Sequence, residues 1–163
     1  MSAAFSIRKG NLSDFPIISA HRVGMFRDMG VLDPNRESEL IQATSDYLQK
    51  AIPEGEYLAW LAESTDSRVV IGGAGVQLRR ILPRADAGMP ELERGPEAIV
   101  LNVYVEQTWR RKGVAEALMR RLLEEVRARG IRRVVLHASP LGRGLYERLG
   151  FAPTNEMRLH KPQ

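Results

Sequence analysis

Apolar residues recur along this chain at two spacings, and the points where the spacing changes divide it into elements. Phe5-Ser-Ile-Arg-Lys9 alternates apolar with polar and predicts a first strand, closed by Gly10-Asn11. Ser13 is suited to cap a helix, with Asp14 in its first turn and Pro16 early enough to be tolerated. That helix is predicted to turn Ile17, Ile18, His21, Met25 and Met29 inward and to stop near Gly30. A second helix follows Asp33-Pro34. Its Leu40, Ile41, Thr44, Tyr47, Leu48 and Ala51 recur every three or four residues up to Pro53.

The period then falls to two. Tyr57–Glu63 and Arg68–Leu78 predict two strands joined by Ser64-Thr-Asp-Ser67, and the stretch from Pro83 to Pro96, dense in Pro, Gly and charge, predicts a long loop. Ala98–Val105 is almost continuously apolar, as a strand buried on both faces must be. A helix is expected from about Gly113 to Arg129, with Ala115, Leu118, Met119, Leu122 and Val126 on one face and Gly130 as its C-cap. Arg132–Ala138 predicts another buried strand, Leu141–Leu149 a short helix ended by Gly150, and Phe151 the start of the last strand segments. Strand, helix and strand over 98–138 form a βαβ crossover, so that pair should be parallel. The expected fold class is α/β (α+β), one domain over 1–163: a mixed sheet of about six to seven strands with helices on both faces.

Composition narrows the chemistry. With 163 residues, 44% apolar and 27% charged, the chain has the proportions of an ordinary globular domain. No apolar run reaches a membrane span and Met1–Gly10 lacks the layout of a signal peptide, so a cytoplasmic protein without a membrane partner is expected. The absence of cysteine excludes disulfides, thiolate metal sites and a cysteine acyl-enzyme. His21, His137 and His160 lie too far apart to suggest ligands, so no metal is expected. The net charge is +4 and the pI about 9.8, with the excess concentrated between Arg110 and Arg133. Such a patch suits a polyanion, whether nucleic acid or a phosphorylated cofactor, and it equally suits a solvated helix face. Aromatic-interleaved basic strands, an RNP-like motif and a helix-turn-helix are all missing, so no nucleic-acid partner is expected.

The chemistry concentrates in Val103-Tyr-Val-Glu-Gln-Thr-Trp-Arg-Arg-Lys-Gly-Val-Ala115. A buried strand ends, the chain turns, and a helix begins on a glycine preceded by three cations. Unpaired N–H groups and a partial positive charge at a helix start bind phosphate. Gly113 lets a ligand approach the backbone, and small Ala115 does nearly the same. Neither the G-x-x-x-x-G-K-[ST] nor the G-x-G-x-x-G pattern is present.

Arg110-Arg-Lys-Gly-Val-Ala115 resembles the [Q/R]-x-x-G-x-[G/A] signature of the GNAT superfamily of N-acetyltransferases, placed after a strand end, Val103-Tyr-Val105, like the family's own. Gly144-Leu-Tyr-Glu-Arg-Leu-Gly-Phe151 resembles the family's passage from helix to strand. The resemblance implies an acetyl-CoA-dependent transfer of an acetyl group to an amine, without a covalent enzyme intermediate. It implies that the backbone of Val103, Tyr104 and Val105 holds the pantetheine arm. The amides of Arg111, Lys112, Gly113, Val114 and Ala115 would hold the pyrophosphate, with charge from Arg110 and Lys112. Tyr146 would be the general acid, a phenol protonated at neutral pH. Where many members carry Asn after the strand before the Tyr helix, this chain has Ser139-Pro140, and Ser139 would contact the cofactor arm.

Glu97 and Glu106 flank the central strand, and either is a candidate general base or a solvated strand end. Asn102 either faces the site or satisfies a bulge, and His137 reads as a mid-strand core histidine. The resemblance implies that the acceptor, a small-molecule or peptide amine, is shaped by the first two helices and the loop joining them, here about Arg22 to Arg36. A CoA-binding regulatory domain without turnover and a homodimeric assembly both stay open.

Overall fold

The computed structural model describes residues 4–160. Its sheet has five strands in chain order, β1 (Phe5–Lys9), β2 (Tyr57–Ser64), β3 (Val70–Arg79), β4 (Glu97–Val105) and β5 (Val134–Leu136). The first four pair antiparallel, and β4 and β5 pair parallel as the crossover requires. The helices are α1 (Phe15–Asp28), α2 (Glu37–Ala51), α3 (Val114–Ala128) and α4 (Arg143–Arg148).

The alternation along β2 shows how the layers form. Leu58, Trp60 and Ala62 join a cluster with Leu118, Met119 and Leu122 of α3, whereas Tyr57, Ala59 and Leu61 join a second one with Ile18 of α1 and Leu48 of α2. Both faces of the strand are therefore covered, which is why its apolar run is continuous. The stripe on α3 drives its docking: Leu118, Met119, Leu122 and Val126 are fully buried. Each contributes about 1.5–3 kcal/mol of apolar burial.

Several boundaries differ from the expected ones for local reasons. Asn11, not Ser13, makes the side-chain cap, and it caps a 3-10 turn at Leu12–Asp14, with Asp14 as the N-cap position of α1 itself. The Ser13 amide donates to Asn11 Oδ1 at 2.9 Å and the Asn11 amide donates to Asp14 Oδ2 at 2.8 Å, a reciprocal box that starts a 3-10 turn before α1. Five strands stand where six or seven were expected, because residues 151–160 leave the sheet unpaired, with Met157 and Leu159 at 94% and 96% exposure. β5 is three residues long and half-buried, not a buried strand over 132–138, because it is the edge of the sheet. His137 consequently lies beyond the strand, exposed, with Nδ1 3.5 Å from a Glu156 carboxylate oxygen.

The feature that most shapes the site is in β4. Gly73 pairs with Tyr104 but Gly75 pairs with Leu101, so Asn102 and Val103 stand opposite Ala74 alone. Asn102 takes φ +59, and its Nδ2 donates to the Ile18 carbonyl at 3.1 Å. It is the extra residue of a β-bulge, tied to α1.

Candidate active site

Just before the bulge β4 loses its outer neighbour. β5 pairs with it only across Ala98–Val100, so among the described residues the outer edge from Leu101 to Val105 has no strand beside it. Val105 is buried and Val103 half-buried against the α3 cluster, whereas the Tyr104 ring lies on the opposite face, 5.1 Å from the His21 ring. A Cβ on Gly24 would come within 2.8 Å of that tyrosine, so the glycine lets α1 close onto it.

The chain leaves β4 through a 3-10 turn at Gln107–Trp109, and the next residues open a concavity. Arg110 is extended, Arg111 has φ +59, and Gly113 caps α3 at φ +80. Among the described residues, the amides of Arg111 to Glu116 have no acceptor within the protein. Successive amides around left-handed residues, set at a helix start, form an anion nest with the helix dipole behind it. A Cβ on Gly113 would meet no atom within 4 Å, so what requires glycine is the positive φ and the open space in front of it. Val114 is fully buried and Ala115 half-buried, which anchors the nest to the core. The turn therefore fits a pyrophosphate.

The cations divide their work. Arg110 is committed to the fold. Its Nε donates to the Val105 carbonyl at 2.9 Å, its second nitrogen pairs with Asp28 at the end of α1, and its guanidinium lies 5.6 Å from the Tyr104 ring centre. Lys112 sits 5.0 Å over Trp109. Free charge at the mouth thus comes from Arg111 and Lys112, while Arg110 braces the strand end.

Tyr146, on α4, packs against the same cluster as Val103 and Ala115 and meets Phe151 edge-on at 6.1 Å. Burial raises its hydroxyl pKa, so the proton is held more firmly than on an exposed tyrosine. Among the described residues the hydroxyl has no hydrogen-bond partner. Ser139 Oγ accepts the Gly142 amide at 3.2 Å, which orders the turn into α4.

The two carboxylates part company. Glu97 lies at the far end of β4, 2% exposed, with Oε2 accepting from Arg79 Nε at 2.6 Å and Oε1 paired to Arg133. Burial alone pushes its pKa up, but the two guanidiniums outweigh that and hold it below the usual carboxylate range. It fastens the β3, β4 and β5 ends together and is not brought to the turn. Glu106 follows Val105 directly, is 45% exposed, and has Oε1 3.7 Å from Nε2 of buried His21. Burial depresses the His21 pKa to about 4, so the imidazole is neutral at physiological pH.

Between α1, α2 and the β3–β4 pair lies a cleft of about 350 Å³, lined in part by Arg22, Tyr47, Tyr57, Gln77, Leu101 and Asn102. Of these, only Arg22 and Asn102 were singled out from the sequence. Tyr57 and Gln77 carried one available signal, the run Gly72-Gly-Ala-Gly75 in β3. A strand this bare leaves room for a large neighbour, and a Cβ on Gly75 would fall 1.8 Å from the Tyr57 hydroxyl.

Comparison with known proteins agrees with this geometry. The family model described as "Acetyltransferase (GNAT) family" matches residues 27–151. The rice (Oryza sativa subsp. japonica) protein "Glucosamine 6-phosphate N-acetyltransferase 1" is 28% identical over 153 residues, spanning 93% of this chain and 84% of its own length. A GCN5-related N-acetyltransferase from Ralstonia eutropha JMP134 superimposes with a TM-score of 0.84 at 30% identity, covering 98% of each chain. A predicted acetyltransferase with acetyl-CoA from Clostridium acetobutylicum does so with a TM-score of 0.81 at 26% identity over 96% of each. A parted β4–β5 pair, an amide nest at the start of α3 and a family match over most of the length lead to one conclusion: this chain belongs to the GNAT acetyltransferase family.

Proposed function

We propose that this chain is an acetyl-CoA-dependent N-acetyltransferase that passes the acetyl group directly to an amine. The observation that carries the reading is the row of unpaired amides from Arg111 to Glu116 beside the unpaired edge of β4. The amides receive the pyrophosphate and the free strand edge pairs with the pantetheine arm. The bound co-substrate supplies an activated thioester. The free backbone edge near Val105 offers an N–H to polarise its carbonyl, which stabilises charge where it develops.

Starting from an ammonium, the transfer forms an N–C bond, breaks the C–S bond and takes two protons from nitrogen, one before attack and one after it. One proton is delivered to sulfur and the net surplus proton leaves to solvent. Tyr146 is the donor to sulfur. Its half-buried, unpartnered hydroxyl keeps its proton at neutral pH. Glu106, after the end of β4 and open to solvent, takes the first proton from the arriving ammonium directly or through water and passes it to solvent. The second, shed after attack, restores the proton that Tyr146 gives to sulfur. Glu97 is given no part in the reaction, since both of its oxygens hold arginines.

Release of free CoA from acetyl-CoA in the presence of an amine panel tests the reading. The panel includes glucosamine 6-phosphate, the substrate named for the rice relative. Tyr146→Phe keeps the ring and removes the proton donor, so kcat should fall by about 10²–10⁴ with CoA affinity unchanged. An undiminished kcat would make Tyr146 a packing residue. A wild type that binds CoA but never turns over would mark a regulatory CoA-binding domain instead.

A further inference from the structure

We infer that the acceptor is a small amine bearing an anionic group, a carboxylate or a phosphate, and that Arg22 binds that group. The inference rests on the N-acetyltransferase reading, and it starts from a charge imbalance in the cleft beside the β4 bulge. Among the described residues, Arg22 is the one charged residue lining that cleft. The arginines paired with carboxylates on or beside α1 are neutralised: Arg27 by Glu37, Arg110 by Asp28, Arg8 by Asp14 and Glu63. Arg22 is half-buried, and among the described residues it has no carboxylate partner. Its guanidinium instead lies 4.9 Å from the Phe26 ring centre. Glu56, whose charge reaches Tyr47, is not part of the cleft wall.

A partly desolvated guanidinium without a counter-charge is costly, and an arriving anion offsets that cost. Guanidinium geometry matches carboxylate and phosphate with two parallel hydrogen bonds. Tyr47 adds a second donor: its oxygen accepts from Gln77 Nε2 at 2.9 Å, which leaves its own proton free. On β4, Asn102 lines the same cleft without carrying charge, so the wall next to the parted strands adds no cation. An amine with an acidic substituent can thus be held by its anion at Arg22 with its nitrogen towards the bulge.

Size agrees with charge. A volume of about 350 Å³ lies at the small end for ligand sites, about 300–1,000 Å³. It suits an amino acid or a single phosphorylated amino sugar. A polycationic acceptor would bring like charge to Arg22.

The test is calorimetric titration of the full chain, with and without CoA, using matched probes: glucosamine 6-phosphate against glucosamine, and serine against serinamide. In at least one pair the member bearing the anionic group should bind about 10-fold or more tightly than the partner that lacks it, and the pair that shows it distinguishes phosphate from carboxylate. Arg22→Gln should erase that preference and Arg22→Lys should keep part of it, both with unchanged CoA affinity. The inference is overturned if neither probe bearing the anionic group binds, if the probes lacking it bind equally well, or if Arg22→Gln retains the preference. CoA binding without anion preference overturns this inference alone. Failure to bind CoA overturns the acetyltransferase reading, and the probe titrations without CoA still decide the role of Arg22.

Discussion

Gly113 separates two roles that a single substitution would confuse. Its φ of +80 is a region where a side chain costs about 1–2 kcal/mol, yet a Cβ there touches nothing in the protein. Gly113→Ala should therefore lower stability by about 1 kcal/mol, through backbone strain alone, and weaken CoA binding modestly. Gly113→Val adds a branched side chain in front of the amide nest and should weaken CoA binding far more than it lowers stability. Denaturant unfolding and calorimetry on the same three proteins separate the effects. Equal CoA affinity in all three would move the phosphates away from this turn.

At the scale of elements, β3 is the strand whose bareness organises the cleft. Gly75→Ala would place a Cβ 1.8 Å from the Tyr57 hydroxyl, at the end of a ring fixed in the α1–α2 cluster. The ring must move, at a cost of about 1–3 kcal/mol. The acceptor KM should rise while CoA affinity holds, because Tyr57 lines the cleft and not the nest. Steady-state kinetics against each substrate in turn check this, and a rise in the CoA constant alone would refute it. The contrast shows what could be read from sequence. The nest was legible because it is built from consecutive residues whose turn, glycine and cations announce each other. The β4–α3–β5 crossover was legible from strong apolar periods. The cleft was not, since Arg22, Tyr47, Gln77 and Asn102 come from four elements and meet only in the folded chain. Sequence also overextended β5 and the tail, because Arg132-Arg-Val-Val-Leu-His carries the composition of a central strand at what proves to be the edge of the sheet.

For the whole molecule, titration should be felt mainly on the acid side. His21 is 2% exposed and its pKa falls from an ordinary value near 6.5 to about 4. Between those values the unfolded chain binds a proton that the folded chain refuses. The stabilisation is therefore complete above about pH 6.5 and declines as pH falls towards 4. At about 1.4 kcal/mol per unit the decline is on the order of 3 kcal/mol. Asp14, held low first by its Arg8 hydrogen bonds, and Glu97, held low by Arg79 and Arg133 against its burial, continue the loss as pH drops further. Urea midpoints at pH 7, 5.5 and 4.5 should fall for the wild type and stay much flatter for His21→Leu. An unchanged slope in that variant would assign the acid sensitivity elsewhere.

The bulge at Asn102 also fixes the parity of β4. Before it, the even-numbered residues Ala98 and Val100 belong to the α3 side; after it, the odd-numbered Val103 and Val105 do, and Tyr104 turns to His21. The strand thus has a spatial reading frame that changes once, midway. Losing or gaining a single residue there would leave every neighbouring residue type intact while exchanging the faces of all that follow, sending Tyr104 towards the α3 core and Val103 towards α1. The number of residues in β4, and not only their identity, is therefore part of what builds this site.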